Sequence, residues 1–392
     1  MNNNILNIEN QIFIENNINT DINKLLLKGS KLNAVTTNEI VEQIEAKKRC
    51  KTKLKTWYNT KGVYYPNKLN IEQTSSEATA AYKSSLISGK TIIDLTGGFG
   101  VDTYYFSKKF DEVYHCEINE NLSQIVSHNY SKLKVDNIKT INANGIEYLK
   151  TTSNFDWIYV DPSRRHDAKG KVFYLKDCLP NVPENLELLF KHTNNILIKT
   201  SPMLDISVAI EELSNVKCIY IVALKNEVKE LLFELQKDFK SDILLKTINI
   251  NQNGNQYFNY KLKDESTSSI NYDNVSNYIY EPNTAILKSG AFKNVAQQLN
   301  ISKLHKHSHL YTSKELIEFP GRSFKVIKTL DYNKKIFKTE LLNLKANITT
   351  RNFPQTVNTL KKKHKIKDGG ELYLFFTTNK DNEKIVVFTH KA

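Results

Sequence analysis

The stretch Ile92–Gly100 reads IIDLTGGFG, in which an apolar run leads directly into a glycine-rich turn. Glycine has no Cβ, so Gly97, Gly98 and Gly100 allow positive φ angles and a close approach of the backbone to a ligand. A helix predicted to begin near Asp102 would point its free N–H groups at the same place. The stretch therefore predicts a strand, a binding turn and a helix, with a nucleotide-like ligand as the natural occupant.

A second predicted strand, Val113–Cys116, ends at Glu117, whose carboxylate can accept hydrogen bonds from both hydroxyls of a ribose. A dinucleotide-binding Rossmann domain would show a similar strand, turn and acid. Its G-x-G-x-x-G motif, however, needs a third glycine where this chain has Thr103. An acid that opens the loop, here Asp94, is instead typical of methyltransferases. The pattern favours a methyl donor over a dinucleotide.

A third strand end carries an acid–proline pair, Asp161-Pro162, after the apolar run Trp157–Val160. In open α/β sheets, ligands bind beyond the carboxyl ends of the strands. We therefore expect Asp161 to face the same crevice as Gly98 and Glu117, so that three strand ends converge on one site.

Short β-rich runs alternate with amphipathic stretches from residue 91 onward, which predicts a parallel α/β sheet. Residues 1–60 are polar, rich in asparagine and helical in pattern, and the polar stretch Lys263–Asn277 has the composition of a linker. The expected strands are Thr91–Leu95, Glu112–Glu117, Ile138–Asn142, Trp157–Val160, Asn195–Lys199 and Cys218–Leu224.

Asp94–Gly100, Glu117 and Asp161-Pro162 resemble the donor loop, the ribose acid and the fourth-strand motif of class I S-adenosylmethionine-dependent methyltransferases. With Gln73–Glu77, Lys199–Pro202 and the tail motifs, the chain is similar to a bacterial group of these proteins that has a small ferredoxin-like domain and a C-terminal THUMP-like domain. The resemblance leaves only the helical prefix unmatched. It implies a Rossmann-like class I methyltransferase sheet, S-adenosylmethionine as the cofactor, and RNA, either tRNA or rRNA, as the substrate.

Four parts of the chain are expected from the resemblance and the composition together. They are a helical N-terminal segment (1–90), an S-adenosylmethionine-binding methyltransferase domain (91–262), a small ferredoxin-like domain (278–320) and a basic THUMP-like domain (321–392). Both C-terminal domains are expected to be small α+β structures.

The residues expected to bind the cofactor are Asp94, Thr96, Gly97, Gly98, Gly100, Glu117 and Asn144. Asn144 follows the third strand, where this fold contacts adenine, although it could equally be a turn residue. Asp161, Pro162 and Arg164 are the expected catalytic residues, with Asp161 as orienter or proton acceptor and the Pro162 carbonyl as a second contact. Arg164 and Arg165 suit the clamping of a phosphate or nucleotide, and could otherwise be ion-paired surface charges.

The residues after Pro162 depart from the pattern of base-methylating relatives, which carry an acid, two prolines and an aromatic residue that stacks on the base. Ser163 and Arg164 replace the second proline and the aromatic residue, which leaves the methylated atom open. Methylation of a pyrimidine carbon needs a nucleophilic cysteine, and Cys178 is the only candidate between the fourth and fifth strands. Cys116 is expected to be a buried strand residue.

Positive charge is concentrated near the C-terminus. The chain has a net charge of +13, and thirteen Lys and Arg residues but only two acids lie between Arg322 and Lys367. Aromatic residues stand among these cations, which suits RNA better than a membrane surface, while the alternative is an ordinary solvated helix face. The residues expected to contact RNA are Arg165, Arg322, Arg351, Lys361, Lys362 and Lys363.

His305, His307 and His309 would share one face of a strand and could bind a metal, but no acid or cysteine lies nearby in sequence, so no metal is expected. The four cysteines form no C-x-x-C pair, and no apolar stretch approaches the ~18 residues of a membrane span. A cytoplasmic protein without a membrane partner is therefore expected. Two other functions fit: an RNA-binding protein with a non-catalytic methyltransferase-like domain, and a small-molecule methyltransferase. The sequence does not indicate an oligomeric state.

Overall fold

The computed structural model describes residues 1–30, 32–164 and 174–392, with the backbone alone at Arg164, Phe337 and Lys338. The α-helices are α1 (Ile8–Asn16), α2 (Ile22–Lys28), α3 (Thr37–Lys53), α4 (Lys55–Asn59), α5 (Lys68–Gln73), α6 (Glu77–Leu86), α7 (Val101–Phe106), α8 (Glu120–Lys132), α9 (Gly145–Leu149), α10 (Val182–His192), α11 (Ile206–Glu212), α12 (Leu262–Thr267), α13 (Thr284–Ser289), α14 (Phe292–Gln298), α15 (Lys334–Thr339) and α16 (Val357–His364).

The strands are β1 (Gly89–Asp94), β2 (Phe110–Cys116), β3 (Ile138–Ile141), β4 (Trp157–Val160), β5 (Ser163–Arg164), β6 (Cys178–Leu179), β7 (Asn195–Thr200), β8 (Val216–Leu224), β9 (Glu227–Gln236), β10 (Leu244–Ile250), β11 (Gln256–Lys261), β12 (Tyr278–Pro282), β13 (Ser302–Lys303), β14 (Tyr311–Ser313), β15 (Gly321–Asp331), β16 (Asn347–Thr350), β17 (Leu372–Thr378) and β18 (Lys384–Lys391).

Two compact units make up the described chain. The first consists of Met1–Lys217 and Glu230–Lys240, and the second of Cys218–Lys229 and Ser241–Ala392. The four-part division expected from the sequence is finer than this and stays a prediction.

The sheet of the first unit runs in the order β9-β7-β4-β1-β2-β3. Strands β1, β2, β3, β4 and β7 pair in parallel, and β9 is antiparallel to β7. Ile92 and Ile93 on the central strand β1 are fully buried, as expected for a parallel strand covered on both faces. The predicted α/β class with a Rossmann-like parallel sheet is thus confirmed, and β4 has the bounds that the sequence predicted.

The helices of the N-terminal segment pack against the rest of the first unit. Helix α3 begins with a capping box in which Thr36 and Glu39 satisfy each other's backbone N–H groups, and Ile40 and Ile44 lie on its buried face. These residues share one hydrophobic core with Phe99 and with α7 and α8. The segment that the sequence left without a role therefore lies against the glycine-rich turn.

The second unit contains two strand systems. Strand β10 pairs in parallel with β8 and antiparallel with β11. A separate seven-stranded sheet has the order β13-β14-β12-β15-β18-β17-β16. The sequence prediction of a linker over residues 263–277 is wrong in part, because α12 occupies Leu262–Thr267. The Glu265 carboxylate in this helix accepts hydrogen bonds from the backbone N–H groups of Lys293 and Asn294 at the start of α14, a long-range contact that composition does not reveal.

Candidate active site

The turn after β1 is held by Asp94, the acid that opens it. One carboxylate oxygen accepts a hydrogen bond from the Thr96 backbone N–H (2.9 Å) and the other from the Thr103 hydroxyl (2.8 Å). Burial raises the pKa of Asp94 to about 7, although these two hydrogen bonds oppose the shift. Asp94 is 1% exposed, so its side chain shapes the turn from inside.

The three glycines of the turn are required for different reasons. A Cβ at Gly97 would lie 2.2 Å from the His115 ring, and a Cβ at Gly100, where φ is +76°, would lie 2.2 Å from the Tyr130 hydroxyl oxygen. Gly98 also has a positive φ (+55°), but the nearest atom to its Cβ would be the Thr96 carbonyl oxygen at 3.8 Å. Gly97 and Gly100 therefore serve internal packing, and Gly98 is the glycine with open space beside it.

Glu117 joins the end of β2 to this turn. Its carboxylate accepts hydrogen bonds from the backbone N–H groups of Gly98 (3.0 Å) and Asn119 (2.7 Å). The next residue, Ile118, is 70% exposed. Sequence reasoning missed Ile118, although an apolar residue directly after the acid was visible.

Asn144 has the role of a helix cap. Its side-chain oxygen accepts hydrogen bonds from the backbone N–H groups of Ile146 (2.9 Å) and Glu147 (3.3 Å) at the start of α9. The neighbouring Gly145 was missed from the sequence: a Cβ there would lie 2.4 Å from the Leu95 carbonyl oxygen. This glycine lets α9 approach the end of β1.

Asp161 lies at the end of β4, beside the same turn. Its backbone N–H donates to the Thr96 hydroxyl (2.7 Å), and its carboxylate accepts a hydrogen bond from the Lys199 ammonium group at the end of β7. Pro162 is buried. The structure thus brings Thr96, Gly98, Glu117 and Asp161 to one edge of the sheet, and it adds Lys199, to which sequence reasoning gave no chemical role.

The residues after Pro162 pair as a short ribbon, in which Ser163 and Arg164 of β5 lie opposite Leu179 and Cys178 of β6. The Arg164 side chain and the whole of Arg165 lie outside the described residues. The four cysteines are buried, and burial raises the pKa of the Cys116 thiol to about 12.

A buried set of charged residues lies behind Asp161 and Lys199. The Lys83 ammonium on α6 lies 2.7 Å from both carboxylate oxygens of Glu230 on β9 and 3.2 Å from an oxygen of Asp102 on α7. Ser75, in the Gln73–Glu77 motif, accepts a hydrogen bond from Lys83 (2.9 Å) and donates one to Asp102 (2.8 Å). We name Lys83, Asp102, Glu230, Lys199 and Asp161 the charge cluster.

The predicted RNA-binding arginines of the tail converge on one carboxylate in the second unit. Glu281 is buried; it accepts a hydrogen bond from the Arg322 Nε (2.8 Å) and pairs with a terminal guanidinium nitrogen of Arg351 (2.6 Å). The Arg322 and Arg351 side chains are 42% and 36% exposed. One carboxylate therefore fixes two arginines that still face solvent.

Lys361, Lys362 and Lys363 lie in the second half of α16. Lys361 pairs with Asp368 (2.5 Å), and the Lys363 ammonium donates to the Tyr332 hydroxyl (3.1 Å). Their position on a helix is compatible with either of the two interpretations that the sequence left open.

The three histidines do not share a strand face, because residues 304–310 form a turn between β13 and β14. His309 instead stacks on Phe292 with ring centroids 3.7 Å apart, and its φ of +52° is that of a left-handed turn residue. Within residues 1–30, 32–164 and 174–392, no group of three His, Cys, Asp or Glu side chains is arranged to hold a metal ion. In the same ranges no helix has both the length and the apolar character to cross a bilayer.

Comparison with known proteins gives a match over nearly the whole chain. It is a protein from Porphyromonas gingivalis W83 whose crystal structure is named "putative methyltransferase"; it is 32% identical, and the match covers 97% of each chain with a TM-score of 0.89. The sequence model of a ferredoxin-like domain matches residues 278–320, and that of a THUMP-like domain matches residues 321–391.

Two further solved structures match less than half of the chain. An rRNA methylase from Streptococcus thermophilus is 16% identical over 42% of this chain and 95% of its own, with a TM-score of 0.31. TrmK from M. capricolum, in complex with S-adenosyl-homocysteine, is 19% identical over 42% of this chain and 70% of its own, with a TM-score of 0.33. No curated protein matches the chain.

Proposed function

Because the chain belongs to the bacterial group of class I S-adenosylmethionine-dependent methyltransferases with a ferredoxin-like and a THUMP-like domain, we propose that it is a cytoplasmic enzyme that methylates RNA, either tRNA or rRNA. The observation that best supports catalysis is the meeting of three strand ends at one edge of the sheet. There Glu117 accepts a hydrogen bond from the Gly98 backbone N–H beside open space, and the Asp161 backbone N–H donates to Thr96 of the same turn while its carboxylate pairs with Lys199. Open α/β sheets bind their ligands at this edge.

The residues around the turn fit a nucleoside. Glu117 would accept the ribose hydroxyls, the backbone at Gly98 has space for a close approach, and the exposed Ile118 offers an apolar surface for the base. Asn144 would contribute by fixing the start of α9, since its side-chain oxygen is already engaged. S-adenosylmethionine, when bound, supplies an electrophilic methyl group on a positively charged sulfur.

The chain's own part in methyl transfer is to position the acceptor, because an activated methyl group reacts once a nucleophile approaches in line. Asp161 is held from two sides, through its backbone by Thr96 and through its carboxylate by Lys199. It would orient the acceptor or receive its proton, with the Pro162 carbonyl as a second contact. Arg164 and Arg165, which follow directly, would hold a phosphate of the substrate.

The proposal that the substrate is RNA rests on the second unit. Glu281 presents Arg322 and Arg351 as a fixed pair of guanidinium groups, and planar guanidinium groups bind phosphate through two hydrogen bonds. Lys361, Lys362 and Lys363 add further positive charge on α16. A small-molecule substrate would leave this charge without a use.

The experiment that tests the proposal compares modified nucleosides in total RNA from cells with and without the protein. We expect one methylated nucleoside to disappear from tRNA or rRNA and to return when the wild-type gene is restored. Restoration with Asp161→Asn should leave it missing. An unchanged nucleoside profile would favour a non-catalytic RNA-binding protein or a small-molecule methyltransferase.

A further inference from the structure

The ion pair of Asp161 and Lys199 at the candidate site is partly exposed. Asp161 and Lys199 lie at the ends of neighbouring parallel strands, because Val160 of β4 is in register with Ile198 of β7. The Asp161 side chain is 33% exposed and that of Lys199 is 12% exposed. An acceptor entering the site would therefore meet an ammonium group and a carboxylate side by side.

The rest of the charge cluster lies near this pair and acts on Lys199 through its negative charge. Lys83 is fully buried and holds Glu230 and Asp102, while Asp102 also accepts a hydrogen bond from the Tyr159 hydroxyl (2.8 Å). These bonds hold the Asp102 and Glu230 carboxylates in place, so the negative charge near Lys199 is fixed in position.

The same carboxylates keep Lys199 charged. Burial alone would lower the pKa of Lys199, but the negative charges of Asp161, Asp102 and Glu230 outweigh burial and raise it. At neutral pH the Lys199 side chain is an ammonium ion, which donates hydrogen bonds and cannot take up a proton. The carboxylate of Asp161 is the proton acceptor of the pair.

This arrangement discriminates between acceptor atoms. A ring nitrogen of a base attacks with its neutral lone pair and becomes positively charged when it takes up a methyl group, and a neighbouring ammonium ion would oppose that change. A hydroxyl oxygen instead becomes more negative as its proton leaves, and the ammonium ion would stabilise it. Tyr159 cannot stack on a base, because its ring is buried against Phe106 and its hydroxyl binds Asp102. In RNA, the hydroxyl that every internal nucleotide carries is the ribose 2′-hydroxyl.

We propose that the methyl acceptor is a ribose 2′-hydroxyl of RNA, with Lys199 and Asp161 as catalytic residues and Lys83, Asp102 and Glu230 as positioning residues. This inference rests on the proposed function and names the atom on which it acts. The hydroxyl oxygen accepts a hydrogen bond from Lys199, and its hydrogen points to the Asp161 carboxylate. The bond from oxygen to the methyl carbon forms as the bond from sulfur to that carbon breaks, and the breaking pair of electrons stays on sulfur. The hydroxyl proton passes to Asp161 and then to water.

The fate of a labelled methyl group tests the inference. RNA from cells that lack the protein is incubated with the full chain and S-adenosylmethionine tritiated in the methyl group, and is then hydrolysed with alkali. A 2′-O-methyl group blocks cleavage of the adjacent phosphodiester, so we expect the label in alkali-resistant dinucleotides. Label in mononucleotides would mean base methylation, which overturns the inference and leaves the proposed function intact. If the protein is folded and binds the donor but the RNA stays unlabelled, the proposed function is overturned.

Variants of the pair separate chemistry from folding. Lys199→Met should lower kcat by about a hundredfold or more, because it removes the charge that stabilises the oxygen. Lys199→Arg should restore part of the rate, and Lys191→Met, at an exposed lysine of α10, should leave it unchanged. Wild-type turnover in Lys199→Met would overturn the assignment of Lys199.

A positioning role for Glu230 is tested by Glu230→Gln, which should lower kcat about tenfold or more while KM for RNA stays the same. Glu230→Asp should recover part of the loss. A change in KM alone would contradict the positioning role.

A binding measurement without the donor covers the case in which Lys199→Met does not fold. An RNA oligonucleotide that the wild-type protein methylates should bind more tightly than the same oligonucleotide carrying a 2′-O-methyl group at the modified position. Asp161→Asn should reduce this difference in affinity between the two oligonucleotides by about half or more, because the variant side chain is a weaker acceptor for the hydroxyl hydrogen. Equal affinity of both oligonucleotides for the wild-type protein would contradict the inference.

Discussion

At the scale of single residues, the candidate site separates side chains that shape it from those that face a ligand. Asp94, Gly97 and Gly100 are engaged with the protein itself, whereas Gly98 has open space beside it and the half-buried Glu117 is bonded to its backbone N–H. The sequence pointed to all five from the glycine-rich turn and the strand pattern. It gave no role to Lys83 or Lys199, because a lysine in a helix or strand carries no local signal of an ion pair formed with a distant residue.

Glu117→Ala should weaken the binding of S-adenosylmethionine by roughly 10- to 100-fold, since a lost hydrogen bond to a charged group costs about 1.5–3 kcal/mol. Calorimetric titration measures this directly. Glu120→Ala, at an exposed acid of α8, is the control and should bind like the wild type. Wild-type affinity in Glu117→Ala would place the donor elsewhere.

The pH dependence of stability should change in Asp94→Asn. The pKa of Asp94 is raised by burial from 3.8 to about 7 in the folded state, so its stabilising contribution is complete below 3.8 and is lost as the pH rises toward 7. Asp94→Asn removes this loss of stability. The change in the free energy of unfolding from about pH 5 to about pH 7 should therefore be more positive in the variant than in the wild type by roughly 2–3 kcal/mol.

Urea unfolding of the wild type and the variant at the two pH values checks this prediction. Burial lowers the pKa of His115 beneath the same turn from 6.5 to about 4, so it acts in the opposite sense and destabilises the fold as the pH falls. Asp111→Asn, at an exposed acid of β2, is the matched control. An identical pH dependence in the wild type and Asp94→Asn would contradict the assigned protonation of Asp94.

At the scale of elements, the N-terminal helices support the binding turn. Trp57 of α4 is fully buried, with ring centroids 6.1 Å from Phe99 in the turn and 4.9 Å from Tyr104 on α7. The sequence predicted helices here but no partner for them, because the amphipathic pattern of a helix shows which face is buried and not what covers it.

Trp57→Ala should destabilise the first unit by roughly 3–5 kcal/mol, as expected for removal of a large buried aromatic side chain. It should also weaken donor binding, because Phe99 loses its support. Ile12→Ala on α1 removes a side chain that is 54% exposed and should change stability by about 0.5 kcal/mol or less. Equal unfolding midpoints for the wild type and Trp57→Ala would show that the segment packs differently.

The elements also show which parts of the secondary structure could be predicted from the sequence and which could not. Strand β4 was predicted with its observed bounds, since an apolar run between polar turns is a local signal. The alternation of the three histidines would place them on one face if the stretch were a strand, but the stretch is a turn, because such alternation supplies no apolar contacts. Helix α12 was missed, since its stabilising contact with α14 is distant in sequence.

At the scale of the whole molecule, the candidate site and the excess of positive charge lie in different parts of the chain. The acidic and basic groups of the charge cluster pair with one another in the first unit, and the excess of positive charge lies in the C-terminal part of the second. Concentration of the charge could be read from the sequence. The pairing of Arg322 and Arg351 on Glu281 could not, because it joins three strand ends that are far apart in the chain.

Replacement of Lys361, Lys362 and Lys363 by glutamine should flatten the salt dependence of RNA binding. Each phosphate contact on a single strand contributes roughly 0.7 to the log–log slope, so the slope should change by about two units while donor affinity stays the same. The triple change Lys24→Gln, Lys28→Gln and Lys51→Gln in the N-terminal helices is the control. Binding to anionic vesicles at matched ionic strength should be weaker than binding to RNA. If the triple variant leaves the salt dependence of RNA binding unaltered, the α16 lysines are an ordinary solvated helix face.

The measurement that tests the central claim most directly is the transfer of a tritiated methyl group from S-adenosylmethionine to RNA purified from cells that lack the protein. The wild-type chain should label this RNA, and Asp161→Asn should bind the donor with similar affinity but transfer about a hundredfold less label, because Asp161 acts on the acceptor. Failure of the folded, donor-binding wild type to label the RNA would contradict the account.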